Sequence, residues 1–148
     1  MSESLTIPAS IIEIEKILVD LPQTIMPVNH VFTPGMISRE IMIPADTILT
    51  SMMHKTEHQF LVVQGVIDVI SETEKTRYVA PYLGITPAGT KRALHAITDT
   101  IWITFHPNPD NITDVVAFGE SILATTGDPS LEGWRASTES WQQQLTTQ

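Results

Sequence analysis

The sequence predicts one mainly β domain, an antiparallel sandwich or barrel with helices at both ends. Its 148 residues suit a single domain with a buried core. Short runs of alternating apolar and polar residues follow one another between residues 36 and 106. Proline and glycine punctuate these runs, and helical spacing occurs only in the flanking segments. Such short strands without intervening helices are typical of all-β sandwiches and barrels.

The first element is a predicted helix within residues 1–22. Pro8 suits an early helical position, where its missing N–H costs little. Pro22 stops the helix. Between them, apolar residues recur at spacings of three and four: Ile11, Ile14, Leu18 and Leu21. We expect this helix to lie across the outside of the β domain.

The β region is predicted to span residues 28–106, with its first clear strand from Met36 to Ile43. Arg39 shares one face of that strand with Ile37 and Ile41, because strand side chains alternate. Gly65 separates two later strands at a tight position. The further predicted strands are 47–53, 58–64, 66–71, 76–80, 83–86, 92–97 and 100–106.

A C-terminal helical extension is predicted over residues 107–148. The Pro-Asn-Pro-Asp sequence at 107–110 turns the chain, and residues 112–124 form a short helix with Phe118 inward. A last helix opens at residue 128. It carries Trp134 and Trp141, which share a face because they are seven residues apart.

Composition excludes several function classes. The chain has no cysteine, so neither a disulfide framework nor a cysteine-ligated metal site can form. The net charge of −9 argues against a nucleic-acid polymer as partner. No apolar run is long enough to cross a membrane and no signal-peptide pattern is present, so we expect a soluble cytoplasmic protein. Phosphate-loop and nucleophile-elbow motifs are also absent.

The acidic character belongs to the flanks of the chain. Residues 1–20 carry a net charge of −3, residues 107–148 carry −5, and residues 21–106 carry only −1. The middle region, which holds the predicted barrel, is therefore nearly neutral. A small anion remains compatible with its interior.

Two of the five histidines are placed to converge. His54 ends one predicted strand, His58 begins the next, and the three residues between them must bend the chain. Two imidazoles brought together across a bend form half of a metal site, or else are ordinary hydrogen-bonded side chains. His30, before a Pro-Gly turn, and His106, at a strand end, are interpreted as residues that order their loops.

These histidines lie in segments that resemble the two motifs of the cupin superfamily. Met52-x-His54-x-x-x-His58, followed after six residues by Gly65, is similar to the first motif, and Pro87-Ala88-Gly89-Thr90-Lys91-Arg92 is similar to the second. The resemblance implies a small jelly-roll barrel whose motif residues converge inside it. Over residues 20–117 the order of motifs looks like that of short cupin-like proteins of tailed phages and prophages, which implies the host cytoplasm. The segments that carry this likeness are 21–23, 27–35, 39–41, 44–45, 54–58, 80–81, 87–93 and 99–102.

The chain departs from the cupin pattern at the metal ligands. The resemblance places the four ligand positions on Met52, His54, His58 and Arg92, so only two are imidazoles. Arginine stays protonated and cannot be a ligand. His95 completes the set only if a bulge follows Arg92, since positions 92 and 95 have opposite parity. One divalent transition metal on His54, His58 and His95 is therefore one hypothesis, with Glu57 as a further donor, and the incomplete set argues against an enzyme.

The replacements favour an anionic ligand instead. A guanidinium at Arg39 or Arg92, on an inward position, needs a partner, and carboxylates and phosphates accept its two parallel hydrogen bonds. For Arg39 the partner is either such a ligand or a carboxylate of the protein itself. The candidate carboxylates are Glu40, Glu57 and Asp68. Lys91 adds positive charge. Aromatic side chains either stack on a flat ring of the ligand or pack in the core: Phe60, Tyr82 and Trp102.

Three functions therefore compete. The first is a binding protein that holds a small anionic, nucleotide-like molecule through Arg39, His54, His58, Phe60, Lys91, Arg92 and Trp102, to sequester a host signal. The second is a metal-dependent cupin oxygenase or isomerase. The third is a structural module with a solidly packed barrel. A homodimer or higher oligomer is expected as well, from the resemblance and from the apolar faces of the terminal helices.

Overall fold

The computed structural model describes residues 7–52, 54–71 and 73–122. The predicted helix with Trp134 and Trp141 lies outside these residues. The elements in chain order are α1 (Ile7–Val19), β1 (Val28–Thr33), β2 (Gly35–Ile43), β3 (Ile48–Thr50), β4 (His58–Gln64), β5 (Val66–Ile70), β6 (Lys75–Val79), β7 (Tyr82–Thr86), β8 (Ala93–Ala96), β9 (Thr100–Asn108) and α2 (Val115–Ile122).

The strands form two antiparallel sheets. The larger has the order β1-β2-β9-β4-β7, and the smaller has the order β3-β8-β5-β6. Neighbours such as β4 and β9 are far apart in sequence, so the sheets are assembled by long crossovers as well as hairpins. The mainly β, antiparallel architecture predicted from the sequence is confirmed.

The core lies between the sheets, where inward apolar side chains of both sheets meet. On β2 the inward positions include Ile41 and Ile43, and on β9 they include Trp102. Phe60 of β4 stacks on Trp102 with ring centroids 4.4 Å apart and planes 2° apart. This pair lies in the core between the sheets.

The hairpin between β4 and β5 turns at Gly65, as the sequence predicts. Its φ of +94° lies in the left-handed region that favours glycine. A Cβ atom there would collide with the main-chain oxygen of Asp99. A glycine is therefore required at this turn.

One strand was missed. β1 pairs with β2 along its whole length, from Val28 opposite Ile41 to Thr33 opposite Met36. The sequence pattern predicts no strand there because one inward residue, His30, is polar and one outward residue, Val31, is apolar. His30 thus lies inside a strand, and its interpretation as a loop-ordering residue is wrong.

The helices lie outside the sheets. α1 packs on β3, and its buried Glu15 carboxylate contacts the Thr50 hydroxyl (2.5 Å) and the Lys91 ammonium (3.0 Å). α2 buries Phe118, whose ring centroid is 6.2 Å from that of His106. Neither of these described helices is long and apolar enough to span a bilayer.

Candidate metal and anion site

Three histidines meet inside one end of the barrel. His58 and His106 lie on the inward parity of β4 and β9, the two central neighbours of the larger sheet. His54 reaches them from the loop after β3. That loop is fixed by hydrogen bonds from the Gly89 N–H to the His54 carbonyl (2.9 Å) and from the Lys55 N–H to the Ile122 carbonyl (2.8 Å).

The three imidazoles are in mutual contact. Ring centroids are 4.5 Å apart for His54 and His58, 4.7 Å for His58 and His106, and 5.1 Å for His54 and His106. One nitrogen from each ring lies within 4.8 Å of the others. Three nitrogen donors at this separation can fill part of the coordination sphere of a transition metal and leave its other positions open.

Burial keeps these rings neutral. Burial, together with the neighbouring imidazoles, lowers the pKa of His54 to about 3 and that of His106 to about 2. The pKa of His58 is also lowered, chiefly by burial. An imidazole binds a metal only when it is deprotonated, so the cluster is ready as a ligand set at neutral pH.

The hydrogen bonds of the cluster fit a bound metal. His54 bonds the main chain of Met52, while its buried Nδ1 has no hydrogen-bond partner in the described structure. His106 Nε2 lies 2.9 Å from the Thr104 hydroxyl, and His58 Nδ1 lies 3.5 Å from the Thr56 carbonyl. Ligating histidines usually bond through one nitrogen and coordinate through the other. The residues present therefore fit a three-histidine metal site.

Two guanidinium groups face the same interior. Arg39 is on β2, opposite His30 of β1 and Thr104 of β9, and burial lowers its pKa to about 10. Arg92 precedes β8 and donates from Nη2 to the Thr86 hydroxyl at 2.7 Å. The positive charge of Arg39 is one cause of the lowered pKa values of His54 and His106.

Arg92 is the better candidate for gripping a ligand. It is 8% exposed, its buried Nε has no hydrogen-bond partner in the described structure, and its carbon Cζ lies 5.5 Å from the centroid of the Phe60 ring. A buried N–H without an acceptor costs free energy that a ligand oxygen would recover. The resemblance had placed a metal ligand at this position, and the structure places a hydrogen-bond donor there.

A surface pocket of about 350 Å³ reaches the cluster. His58 and His106 form part of its wall, and Glu57 contributes a carboxylate. The pocket arises where β9 continues past the start of β4: pairing of β9 with β4 begins at Gln59, whereas its pairing with β2 runs to Gly35. Its volume falls within the ordinary range for ligand sites.

Several predicted residues lie elsewhere. His95 is on β8 in the smaller sheet, with Nε2 3.8 Å from the Asp46 carboxylate, and the structure does not bring it to the cluster. β8 carries no bulge in its pairing with β5, so residues 92 and 95 keep opposite parity. Asp68, a candidate partner of Arg39, pairs with Arg77 at 2.7 Å instead.

The other predicted ligand contacts are occupied within the protein. Lys91 faces Glu15 of α1 and donates to the Ser51 carbonyl at 3.1 Å. Phe60 and Trp102 stack on each other and are buried, at 1% and 5% exposure. They therefore belong to the core, and of the predicted ligand-binding set Arg39, His54, His58 and Arg92 remain at the site.

His106 is the functional candidate that the sequence analysis missed. Its place at a predicted strand end is interpreted above as that of a loop-ordering residue. The alternation of side chains along β9 identifies it. Trp102, Thr104 and His106 are two positions apart and share one face of the strand, so an inward Trp102 means that His106 also points inward.

No family model and no curated protein matches the chain. Solved structures do. A cupin superfamily protein from Desulfitobacterium hafniense matches with a TM-score of 0.50 and 9% identity, over 60% of this chain and 82% of that chain. KdgF from a Halomonas species matches with a TM-score of 0.50 and 18% identity, over 62% of this chain and 88% of that chain.

A longer protein is also similar in fold. A salicylate 1,2-dioxygenase from Pseudaminobacter salicylatoxidans matches with a TM-score of 0.53 and 16% identity, over 69% of this chain but only 33% of that chain. At these identities the likeness concerns the fold. The two antiparallel sheets, the motif spacing and these structural neighbours agree, and the chain has the cupin fold.

Proposed function

We propose that this protein binds one divalent transition metal on His54, His58 and His106, and with it a small anionic molecule held by Arg92 and Arg39. The observation that carries the proposal is the convergence of three imidazoles, two of them buried and one half-buried, beside two inward guanidinium groups. A metal in such a site supplies a positive charge and open positions for an oxygen of the ligand. The side chains of the barrel supply the rest of the recognition.

The anion follows from the charge of the site. A divalent cation alone would add to the positive charge of Arg39 and Arg92, which is unfavourable in a buried environment. A carboxylate or phosphate offsets that charge and accepts hydrogen bonds from the Arg92 guanidinium. Metal and anion should therefore each raise the affinity for the other by the same factor.

A packed structural module fits the structure less well. That hypothesis expects a filled barrel, whereas a pocket of about 350 Å³ reaches His58 and His106. The nucleotide-like ligand and the phage-type resemblance remain predictions from the sequence. Whether the ligand is a nucleotide is answered by the ligand panel described below.

The metal is tested by titrating untagged, metal-free protein with Co²⁺ and following the visible absorption of the bound ion. We expect about one equivalent to bind to the wild type and His106→Ala to abolish tight binding. His95→Ala is the matched control, since it removes the histidine outside the cluster. If His95→Ala and not His106→Ala removes the Co²⁺ spectrum, the ligand assignment is wrong, and no binding to the wild type would refute the metal site.

The anion is tested by thermal shift with inorganic phosphate, benzoate and AMP, each with and without Co²⁺. A ligand at 100 times its dissociation constant stabilises the folded state by about 2.7 kcal/mol. Arg92→Lys keeps the charge but loses the planar fork, so it should remove most of the shift. Arg77→Lys, on the far sheet, should keep it. A panel without any shift, or equal shifts for the two variants, would contradict the anion site.

A further inference from the structure

Lys91 and Arg92 directly precede β8, and their side chains lie on opposite sides of the chain. The Arg92 guanidinium is inside the barrel, where Nη2 donates to the Thr86 hydroxyl at 2.7 Å. The Lys91 ammonium is on the outside, 3.0 Å from the Glu15 carboxylate of α1. Successive side chains of an extended segment alternate in this way. A contact that fixes the direction of Lys91 therefore also limits the direction of Arg92.

Ser51 joins the two residues at the point where the pairing of β3 with β8 ends. The last pair of that ladder is Thr50 with Ala93, so Ser51 stands opposite Arg92. The Ser51 N–H donates to the Arg92 carbonyl at 2.8 Å, as in an ordinary antiparallel pair. The return bond differs, because the Arg92 N–H donates to the Ser51 hydroxyl at 2.8 Å. The Ser51 carbonyl is thereby left to accept from the Lys91 ammonium at 3.1 Å.

The Glu15 carboxylate completes this network from α1. It is 6% exposed and accepts from the Thr50 hydroxyl as well as from Lys91, whose side chain is 12% exposed. A buried charge that loses its partner is strongly unfavourable. Without the charge of Glu15, the Lys91 ammonium would turn towards solvent and leave the Ser51 carbonyl without its donor. The main chain of Arg92 would then be held less firmly.

The segment that carries Arg92 also holds one of the three clustered histidines. Two residues before Lys91, the Gly89 N–H donates to the His54 carbonyl at 2.9 Å. Residues 89–92 therefore contact the histidine cluster at one end and supply the guanidinium at the other. The position of α1 on the outside of the barrel is linked to both through Lys91.

We propose that Glu15 is a positioning residue of the binding site: through Lys91 and Ser51 it keeps the Arg92 guanidinium directed into the barrel, so that tight anion binding requires α1 to be docked. The effect on the ligand rests on the proposed function, whereas the link from Glu15 to Arg92 does not. Lys91 then acts through Arg92 and does not itself contact the anion.

The link is tested without any ligand, by NMR measurement of hydrogen exchange on metal-free protein. The Arg92 Nε–H is buried and should exchange slowly in the wild type. In Glu15→Gln its exchange, and that of the Arg92 main-chain N–H, should be at least about tenfold faster relative to the amides of β9. β9 is paired on both sides, so its amides report opening of the whole barrel.

Asp68→Asn is the matched control. It makes the same change to another buried carboxylate, which pairs with Lys75 and Arg77 on the smaller sheet. The exchange of Arg92 relative to β9 should stay at the wild-type value. Equal acceleration at Arg92 and in β9 of Glu15→Gln would mean that Glu15 only stabilises the fold, and an unchanged rate at Arg92 would also overturn the positioning role.

Lys91→Met is the second variant, in case Glu15→Gln does not fold. It removes the ammonium but keeps an unbranched side chain that can remain under α1. The exchange of the Arg92 Nε–H relative to β9 should rise as in Glu15→Gln. Slow exchange at Arg92 in Lys91→Met would show that the path does not run through Lys91.

The consequence for the ligand is measured as the dissociation constant of inorganic phosphate from Co²⁺-loaded protein. Glu15→Gln should weaken phosphate binding about tenfold, the value of one well-aligned charged hydrogen bond, and Asp68→Asn should match wild type. In an Arg92→Lys background Glu15→Gln should add little, because the guanidinium that it orients is already gone. Additive losses would overturn the route through Arg92. If the wild type binds no phosphate, the proposed anion site fails for phosphate, and the exchange rates still decide whether Glu15 positions Arg92.

Discussion

Acidification should destabilise the metal-free protein well before its carboxylates are protonated. The ordinary pKa of a histidine is about 6.5. In the folded protein the pKa is about 3 for His54 and about 2 for His106, because both rings are buried among like groups. The folded values lie below the unfolded ones, so the unfolded chain binds more protons as the pH falls. Stability is therefore lost from about pH 6.5 downward, towards the folded values.

The size of the loss follows from these two groups. One unit of pKa difference corresponds to about 1.4 kcal/mol, so lowering the pH from 7 to 5 costs about 2 kcal/mol for each buried imidazole. His54 and His106 together give about 4 kcal/mol. This is a large part of the roughly 5–15 kcal/mol by which an ordinary domain is stable. His58, whose pKa is also lowered, and His30, whose pKa burial lowers to about 4, add to it.

The assay is urea unfolding at a series of pH values in EDTA, which keeps metals from contributing. Between pH 6 and 4.5 the slope of unfolding free energy against pH should correspond to at least two protons. His106→Asn should lower that slope by about one proton, and His95→Asn, outside the cluster, controls for the substitution itself. A wild-type stability that is flat from pH 7 to 5, or a slope unchanged in His106→Asn, would refute the argument that the cluster is buried and neutral.

Three further substitutions test the packing around the site by urea unfolding. Gly65→Ala should destabilise far more than Gly89→Ala: both have positive φ, at 94° and 71°, but nothing lies near a Cβ at Gly89. Equal losses would contradict a collision at Gly65. Glu15→Gln removes the charge that Lys91 faces at 3.0 Å and should cost up to about 3 kcal/mol, and no loss would mean that this ion pair does not hold α1. Phe118→Ala should cost about 3–5 kcal/mol, and a near-neutral result would show that α2 does not pack there.

The fold was predictable because local rules and tertiary structure agree over most of the chain. Alternation identified β2 and β4, and the positive φ of Gly65 explains the turn that the sequence suggested. β1 escaped because its inward residues include His30, which no hydrophobic pattern counts as core. A strand that lines a polar site loses the alternation that would reveal it.

The site was predictable only in part, for a related reason. His54 and His58 are close in sequence, so their spacing alone brings them together. His106 joins them through the pairing of β4 with β9, strands separated by more than thirty residues, and spacing cannot show that pairing. His95 was preferred as the third ligand since it follows the second motif, but its parity turns it towards Asp46.

The net charge of −9 does not argue against an anion in this barrel. Salt screens charges on the solvent-exposed surface, whereas charges inside the barrel are screened weakly. The acidic flanks act through solvent, where salt screens charges beyond roughly 8 Å at physiological ionic strength. The guanidinium of Arg92 would act at contact, inside a barrel where screening is weak. With the three imidazoles neutral, Arg39 and Arg92 are the positive charges that act on the cluster, while the Glu57 carboxylate lies in the wall of the pocket. The acidity of the protein as a whole therefore does not contradict the proposed anion.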